Sequence, residues 1–244
     1  MQTTSLDEQQ SPQKIVITGA SSGIGFEAVI ELATKGHEVI AIARNKEKLQ
    51  NLQKLTLSLN PEAKLFPIVF DIVNDDAAGL KTFIEQRWGK FNILINNAGV
   101  LVNKPFKELT EFDMADMFQS NVLGHFRMIQ ALIPLMDKKS HILNIGSMGG
   151  FQGSSKFTGL AAYSSSKAAL HTLTECLAQE LADDQINVNC LALGSAQTEM
   201  LEKAFPGYQS PVQAFEMGKY IADFALTGHK YFNGKIIPVA FSTP

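Results

Sequence analysis

The sequence lacks the features that define several large classes of protein. It has only two cysteines, Cys176 and Cys190, in 244 residues, which is too few for a disulfide framework. We therefore interpret both as small buried apolar residues of a reducing compartment. No apolar run approaches the roughly 18 residues that a membrane-spanning helix needs. The composition predicts a cytoplasmic protein with no membrane partner.

Excess charge and metal-ligand patterns are missing as well. Lys and Arg number 21 against 24 Asp and Glu, and the net charge of −3 argues against a nucleic-acid partner. The histidines lack the paired spacing of a metal site, so we predict no metal. Residues 1–13 are polar and contain no apolar core of a secretory signal. We expect them to form a disordered leader before a single domain over residues 14–244.

What the sequence does contain is a regular alternation of short apolar runs and longer amphipathic stretches. The runs at 15–17 and 39–43 are continuously apolar, which is typical of strands covered on both faces. The pattern predicts further strands at 65–70, 92–95, 141–145, 186–192 and 235–239. It predicts helices at 24–35, 113–136, 163–181 and 211–226. This order predicts an α/β fold, a parallel sheet of about seven strands with helices on both faces. Ser210 is the predicted N-cap of the last helix.

A glycine-rich turn follows the first predicted strand, at Thr18-Gly19-Ala20-Ser21-Ser22-Gly23-Ile24-Gly25. Between a strand and a helix, glycines allow a tight turn and let backbone amides approach a phosphate. The spacing differs from the common G-x-G-x-x-G fingerprint of dinucleotide-binding proteins. Such a cluster could serve turn geometry alone, but its position between strand and helix favours dinucleotide binding.

The second predicted strand ends at Arg44, where an acidic residue would bind the ribose 2′-hydroxyl of NAD(H). A guanidinium suits a 2′-phosphate instead, and Lys46 and Lys48 add positive charge nearby. The alternative is a solvated arginine on the first turn of a helix. We predict that NADP(H) is the preferred cofactor and that NAD(H) is possible.

Tyr163 and Lys167 lie four residues apart at the start of a predicted helix, so their side chains share one face. A nearby ammonium stabilises a phenolate and lowers the pKa of the tyrosine. A tyrosine of this kind can exchange a proton with an alkoxide near neutral pH. Tyrosine and lysine at this spacing are also common in ordinary helices, so the pair alone does not decide the function.

Taken together, the motifs resemble the short-chain dehydrogenase/reductase superfamily in its branch of about 250 residues. The resemblance covers about 14–239 and includes Asn96-Asn97-Ala98-Gly99 after the fourth strand, Asn121 in the next helix and Ser147 at the end of the fifth strand. It implies a single Rossmann-type, doubly wound domain. It also implies hydride transfer between a nicotinamide and a carbonyl or secondary alcohol.

The resemblance further implies roles for individual residues. Tyr163 would be the general acid/base, and Ser147 would hydrogen-bond the substrate oxygen. Lys167 would bind the nicotinamide ribose, and Asn121 would hold a water that links Lys167 to solvent. The predicted cofactor contacts are Gly19, Ser21, Ser22, Gly23, Ile24, Gly25, Arg44, Asp71, Ile72, Asn97, Ala98, Gly99, Tyr163, Lys167, Gly194 and Thr198. The predicted substrate contacts are Ser147, Tyr163, Met148, Phe151 and Phe157.

Several of these residues have a purely structural alternative. Asp71 could cap the next helix, Asn97 could be a turn residue, and Ser147 could be an ordinary end-of-strand hydroxyl. The chain departs from the family at Leu193, where proline is usual, and the loop that leads to Thr198 could therefore differ in shape.

The sequence is also consistent with a second hypothesis, in which the protein binds NADP(H) without turnover and acts as a regulatory or scaffold protein. The resemblance implies a homodimer or homotetramer packed through the helices around 123–136 and 170–181. The substrate is a small carbonyl or alcohol, and acyl thioesters, sugars, steroids and pteridines all stay open.

Overall fold

Seven strands form the centre of the fold in a computed structural model that describes residues 11–241. The strands are β1 (Lys14–Thr18), β2 (Glu38–Ala43), β3 (Lys64–Val69), β4 (Phe91–Asn96), β5 (Met136–Ser147), β6 (Ile186–Leu193) and β7 (Ile236–Val239). All neighbouring strands are parallel, in the order β3-β2-β1-β4-β5-β6-β7. The sheet therefore has the predicted doubly wound topology, with its switch point between β1 and β4.

Within the described residues, eight α-helices connect the strands and cover both faces of the sheet. They are α1 (Gly23–Thr34), α2 (Lys46–Leu59), α3 (Ala77–Trp88), α4 (Glu111–Phe118), α5 (Gly124–Leu132), α6 (Ala161–Glu180), α7 (Glu199–Ala204) and α8 (Ala214–Thr227). Ile15 and Ile17 of β1 pack in the core shared with α1, α2 and α8. Val16 points the opposite way, into the core shared with α3, α5 and α6. This alternation explains why the strand is apolar at every position.

The segment 113–136, predicted as one helix, is interrupted twice. A π-helical turn, Gln119–Leu123, joins α4 to α5. After α5, Pro134 lies in a 3₁₀ turn and the chain enters β5 at Met136. Proline has no backbone N–H and its ring clashes with the preceding turn, so the helix cannot continue through it. The prediction of an unbroken helix to Met136 is therefore wrong.

The predicted start of the last helix is also wrong. α8 begins at Ala214, and Gln213 is its N-cap, with the Gln213 amide donating to Glu216 Oε2 at 2.8 Å. Ser210 lies outside the helix, and its hydroxyl accepts a hydrogen bond from the Val212 amide at 3.2 Å. A serine hydroxyl that bonds its own local backbone competes with helix capping.

The two cysteines differ in their surroundings, and neither forms a disulfide. Cys190 in β6 is fully buried, as expected. Cys176 lies on the outer face of α6 and is exposed, so the interpretation of both as buried residues holds for Cys190 alone.

Residues 1–10 of the predicted leader lie outside the described residues. Within the described part, the Gln13 amide donates to His37 Nδ1 at 3.0 Å, and the Gln13 carbonyl accepts from the Glu38 amide at 2.9 Å. The chain is thus already paired with the start of β2 before β1 begins. Between residues 11 and 241, no helix combines the length and the apolarity needed to cross a bilayer.

Candidate active site

A cavity of about 990 Å³ lies along the carboxyl ends of the strands. It is bordered by residues that follow all seven strands, from Gly19 after β1 to Ala240 after β7. In open parallel sheets, ligands bind at this edge beside the switch point of the strand order. The fold therefore places the cavity where a dinucleotide site is expected.

The glycine turn after β1 is locked against the segment that follows β4. Gly19 has a φ of +68°, and a Cβ there would lie 2.6 Å from Ala98 Cα. The Asn97 side-chain amide donates to the carbonyls of Thr18 and Gly19 at 3.0 and 3.1 Å. Gly25 does not border the cavity, because it faces Asn97, and a Cβ there would meet Asn97 Nδ2 at 2.2 Å. The structure thus gives Gly25 a packing role in place of the predicted cofactor contact.

The start of α1 provides the groups that a pyrophosphate would need. Ser22 is the N-cap of α1, but its side chain makes no capping hydrogen bond, and the first turn contains no acidic residue. The first amides of a helix have no partner within the helix and carry a partial positive charge. The predicted contacts at this turn that border the cavity are Gly19, Ser21, Ser22, Gly23 and Ile24. These residues fit a bound dinucleotide phosphate.

Arg44 and Asp71 border the far end of the cavity, after β2 and β3. Their closest charged atoms, Arg44 Nη1 and Asp71 Oδ2, are 4.0 Å apart, and the arginine side chain is 70% exposed. The Asp71 carboxylate also accepts hydrogen bonds from the Val73 amide and from Asn74 Nδ2, at 2.9 and 3.1 Å. Asp71 does not cap the next helix, because Asp76 does so. An exposed guanidinium at this position is free to meet an anionic ligand.

Three of the four predicted catalytic residues border the same cavity. Ser147 is the last residue of β5, while Tyr163 and Lys167 lie one turn apart at the start of α6. Lys167 Nζ is 5.9 Å from the centre of the Tyr163 ring and donates to the Ile145 carbonyl at 2.8 Å. The ammonium is thus anchored to the strand that carries Ser147.

Burial governs the ionisation of this group. It lowers the pKa of Lys167 to about 8. It also raises the pKa of Tyr163, and the hydrogen bond with Ser147 offsets this only in part. The pKa of Tyr163 is thus raised by burial, which is opposite to the direction expected from its spacing with Lys167.

Asn121 does not border the cavity. It lies in the π-helical turn and is fully buried, with its side-chain oxygen accepting from the Val100 amide at 2.9 Å. Its side-chain nitrogen donates to the Val100 carbonyl and to Ser166 Oγ, both at 3.0 Å. These hydrogen bonds connect the π-helical turn between α4 and α5 to the segment after β4 and to α6. Asn121 thus fixes the positions of the elements around Lys167.

Buried uncharged groups surround Lys167, and the sequence analysis did not identify them. Burial, with a contribution from Lys167, lowers the pKa of His125 to about 3 and that of His171 to about 4. Burial raises the pKa of the Cys190 thiol to about 12. All three are therefore neutral at pH 7, and Lys167 carries the charge of the cluster. No spacing in the sequence signals this grouping, because it forms between α5, α6 and β6.

The side of the cavity that is predicted to hold the nicotinamide is built by β6 and the segment after it. Leu193, the residue in place of the usual proline, pairs with Ser147 of β5 and Val239 of β7, so the sheet fixes its backbone on both sides. The Gly194 amide donates to the Val239 carbonyl at 2.8 Å. Thr198 borders the cavity and caps α7, its hydroxyl accepting from the Leu201 amide at 3.2 Å.

The predicted substrate walls are only partly correct in position. Met148 and Phe157 border the cavity, whereas Phe151 does not. The Phe151 carbonyl instead accepts hydrogen bonds from Ser154 and Lys156 in its own loop. Leu101 and Leu160 border the cavity and were not identified from the sequence. The position of Leu101 directly after the Asn-Ala-Gly segment is the signal that could have revealed it.

Known proteins resemble this chain in sequence and in structure. The profile of the short chain dehydrogenase family matches residues 13–209. An uncharacterized oxidoreductase of Staphylococcus aureus (strain USA300) is 31% identical over 227 residues, covering 92% of this chain and 95% of the relative. A short-chain dehydrogenase/reductase from Serratia marcescens is 27% identical, with a TM-score of 0.81, over 93% of this chain and 96% of that one. A short chain dehydrogenase of Shigella flexneri complexed with NADP is 25% identical, with a TM-score of 0.83 over the same shares.

The family match covers most of the chain, and both solved structures share its sheet topology and helical layers across nearly their whole length. The resemblance seen in the sequence is therefore confirmed. This chain belongs to the short-chain dehydrogenase family and is an oxidoreductase that acts between CH–OH and C=O groups with a nicotinamide cofactor.

Proposed function

We propose that this protein reduces a small ketone or aldehyde with NADPH, using Tyr163 as the general acid. The observation that carries the proposal is that Ser147, Tyr163 and Lys167 border one cavity together with the glycine turn. A proton donor and a dinucleotide-phosphate cradle thus face the same space. The reverse reaction, oxidation of the alcohol, uses the same groups.

Each residue has a distinct part in the proposed reaction. NADPH supplies the hydride when it is bound. The Tyr163 hydroxyl donates a proton to the carbonyl oxygen, and its raised pKa keeps that proton in place at neutral pH. The Ser147 hydroxyl donates a hydrogen bond to the same oxygen and stabilises its developing charge. Lys167 would hold the nicotinamide ribose hydroxyls, and its positive charge would stabilise the phenolate that proton donation leaves on Tyr163.

The preference for NADP(H) is part of the proposal. The exposed guanidinium of Arg44 at the end of β2 supports it, as does the absence of an acidic residue at that strand end. Lys48 contributes less than the sequence suggests, because Lys48 Nζ pairs with Glu199 Oε2 at 2.8 Å. The NADP found with the Shigella flexneri relative agrees with this preference.

Replacement of Tyr163 tests the catalytic role. Tyr163→Phe removes the proton donor and keeps the ring, so we expect kcat for carbonyl reduction to fall about 10²- to 10⁴-fold while NADPH still binds. Tyr231→Phe is the matched control, since Tyr231 is 80% exposed and does not border the cavity. Unchanged turnover in Tyr163→Phe would contradict the mechanism. Tight NADPH binding without reduction of any carbonyl by the wild-type protein would favour the regulatory or scaffold hypothesis.

We further propose that the protein is a homodimer or homotetramer. Phe112, Leu123 and Phe126 along α4 and α5 are 84%, 39% and 40% exposed, which is unusual for side chains of this size and supports an interface there. The molecular mass in solution tests this proposal. The cytoplasmic location remains a prediction from the scarcity of cysteine.

A further inference from the structure

We infer that the substrate is an uncharged ketone or aldehyde with an extended apolar body, and not a sugar or a carboxylated or phosphorylated compound. This inference rests on the proposed function, because it concerns the part of the cavity next to Ser147 and Tyr163. Four features of that part support the inference: its apolar walls, its charged side chains, its hydroxyl groups, and the short helix α7 that covers it and is called the lid below.

The walls around the reacting groups are apolar. Leu101, Met148, Phe157 and Leu160 border the cavity on the side of β4, β5 and α6. Met200 and Phe205 border it from α7 and the residue after it. Aliphatic and aromatic side chains on both sides favour a ligand that loses little hydration when it enters.

The charged side chains that border the cavity are all engaged elsewhere. Arg44 and Asp71 lie together at the far end, and Lys167 donates to the Ile145 carbonyl. Glu199 is paired with Lys48, and Glu216 accepts from the Gln213 amide to cap α8. Among the described residues that border the cavity, Arg44 and Lys167 are the only cations, and the proposed cofactor uses both, which leaves none for a substrate carboxylate or phosphate. The three carboxylates there, Asp71, Glu199 and Glu216, each have a partner already. A charged substrate would be desolvated without a partner.

The hydroxyl groups on the lid side are bonded to one another. Ser195 Oγ lies 3.3 Å from the Tyr208 hydroxyl and 3.1 Å from Ser210 Oγ. The Ser210 amide donates to Gln197 Oε1 at 2.9 Å, which ties the same network to the backbone. These hydroxyls already have partners in the protein, so a polyol gains less from bonding them than it would gain from unpaired groups.

The lid, α7, is fixed at both ends. At its start, the Glu199–Lys48 ion pair spans the cleft to α2 at 2.8 Å. At its end, the side-chain amide of Asn103 donates to the Ala204 carbonyl at 2.7 Å. Apolar atoms placed under this lid are removed from water, so each added methylene should raise the specificity constant about fourfold until the space is filled.

Matched pairs of ketones test the inference with the wild-type protein and NADPH. In the series 2-butanone, 2-hexanone and 2-octanone, we expect kcat/KM to rise by about two orders of magnitude. Ethyl acetoacetate and acetoacetate carry the same ketone, and we expect the neutral ester to be preferred at least about tenfold. D-fructose should be a poor substrate. Equal or better turnover of acetoacetate or fructose than of the matched neutral ketones would overturn the inference.

A cation introduced into the wall gives an independent measurement. Phe157→Arg places a guanidinium beside the cavity at a half-exposed position, and we expect the ester-to-acid preference to shrink at least about tenfold. Phe106→Arg is the control, because Phe106 is 78% exposed and does not border the cavity. An unchanged ratio in Phe157→Arg would contradict the assignment of this wall.

The two proposals fail in different ways. Preferential reduction of acids or sugars, still abolished by Tyr163→Phe, would overturn the substrate class and leave the proposed function intact. Absence of NADPH-dependent reduction across all of these carbonyls would overturn both.

Discussion

At the scale of single residues, the site depends on a charged group held where water is largely excluded. Lys167 is only 4% exposed, and burial lowers its pKa to about 8, yet at pH 7 most of it is still the ammonium. Tyr163 also keeps its proton, in this case because of burial, which penalises the phenolate. The pair is thus in the ionisation state that reduction of a carbonyl requires, with an acid ready and a cation beside it.

Arg44 is the residue on which the cofactor preference rests. Arg44→Ala removes a cation that would form charge-assisted hydrogen bonds with a 2′-phosphate, and such bonds contribute about 1.5–3 kcal/mol. We expect the Kd for NADPH to rise about 10- to 100-fold and that for NADH to stay nearly constant, as measured by calorimetric titration.

Arg87→Ala is a suitable control for that experiment. Arg87 stacks 4.0 Å above the Phe66 ring and does not border the cavity, so its loss should not affect either cofactor. An NADPH affinity that is unchanged in Arg44→Ala would show that another group carries the preference.

At the scale of elements, the end of β5 fits closely against α6 and β6 at a glycine. A Cβ on Gly146 would lie 2.3 Å from His171 Nε2 and 2.7 Å from Cys190 Sγ. Ser147 is the next residue, so this contact determines how far the Ser147 hydroxyl extends into the cavity. The small residue on β5 and the imidazole on α6 are therefore complementary.

Gly146→Ala tests this fit. Overpacking of this kind costs about 1–3 kcal/mol, so we expect the free energy of unfolding in urea to fall by that amount. His171→Ala should relieve the clash, so that the double variant loses less stability than the sum of the two single variants.

Gly79→Ala provides a control of opposite sign. Gly79 lies inside α3, and a Cβ there meets nothing within 4 Å, so alanine should stabilise the helix by up to about 1 kcal/mol. Gly146→Ala as stable as Gly79→Ala would contradict the proposed contact between β5 and α6.

The same scale shows how far the sequence determines the fold. The strands are predictable because β1 and β2 are continuous apolar runs that stop at glycine or at a polar residue. The π-helical turn at Asn121 is not predictable, since it depends on hydrogen bonds to Val100 and Ser166, which are distant in the sequence. Helix ends are uncertain for a related reason, since the Ser210 hydroxyl accepts from the Val212 amide and the Glu216 carboxylate accepts from the Gln213 amide, and the sequence does not show which of the two forms the cap.

The residues of the site likewise divide into those that a local sequence pattern predicts and those that depend on contacts between distant segments. The glycine turn, Arg44, Ser147, Tyr163 and Lys167 stand in local patterns next to strand or helix ends, and the structure brings them to one cavity. The wrongly placed Phe151, by contrast, depends on how one loop folds back on itself. The neutral groups around Lys167 come from three separate elements, and their spacing in the sequence does not predict that they lie together.

At the scale of the whole molecule, buried neutral histidines make the fold sensitive to acid. Burial lowers the pKa of His141 to about 4, as it does for His171, and that of His125 to about 3. The His141 ring forms two hydrogen bonds, one with the Ala225 carbonyl at 2.9 Å, which opposes the lowering of the pKa only in part, and one with Asn189 Nδ2 at 3.2 Å. Because these pKa values lie below about 6.5, the unfolded chain takes up protons first as the pH falls.

Stability should therefore change little between about pH 8 and pH 7 and decrease as the pH falls from about 6.5 toward 4. Each of the three histidines contributes a slope of about 1.4 kcal/mol per pH unit in that window. Urea denaturation at pH 7, 6 and 5 measures this slope, and His141→Gln should reduce it by up to about 1.4 kcal/mol per pH unit. A free energy of unfolding that is the same at pH 7 and pH 5 would contradict the neutral state of these groups.

Hydride transfer itself is tested most directly with isotopes. The protein is given 2-octanone and NADPH that carries deuterium on one or the other face of nicotinamide C4, and the product alcohol is analysed by mass spectrometry. We expect one of the two labelled cofactors to add a single deuterium at the carbinol carbon, and the other to add none. Formation of the alcohol without deuterium from either cofactor would contradict direct transfer from nicotinamide to the carbonyl beside Tyr163.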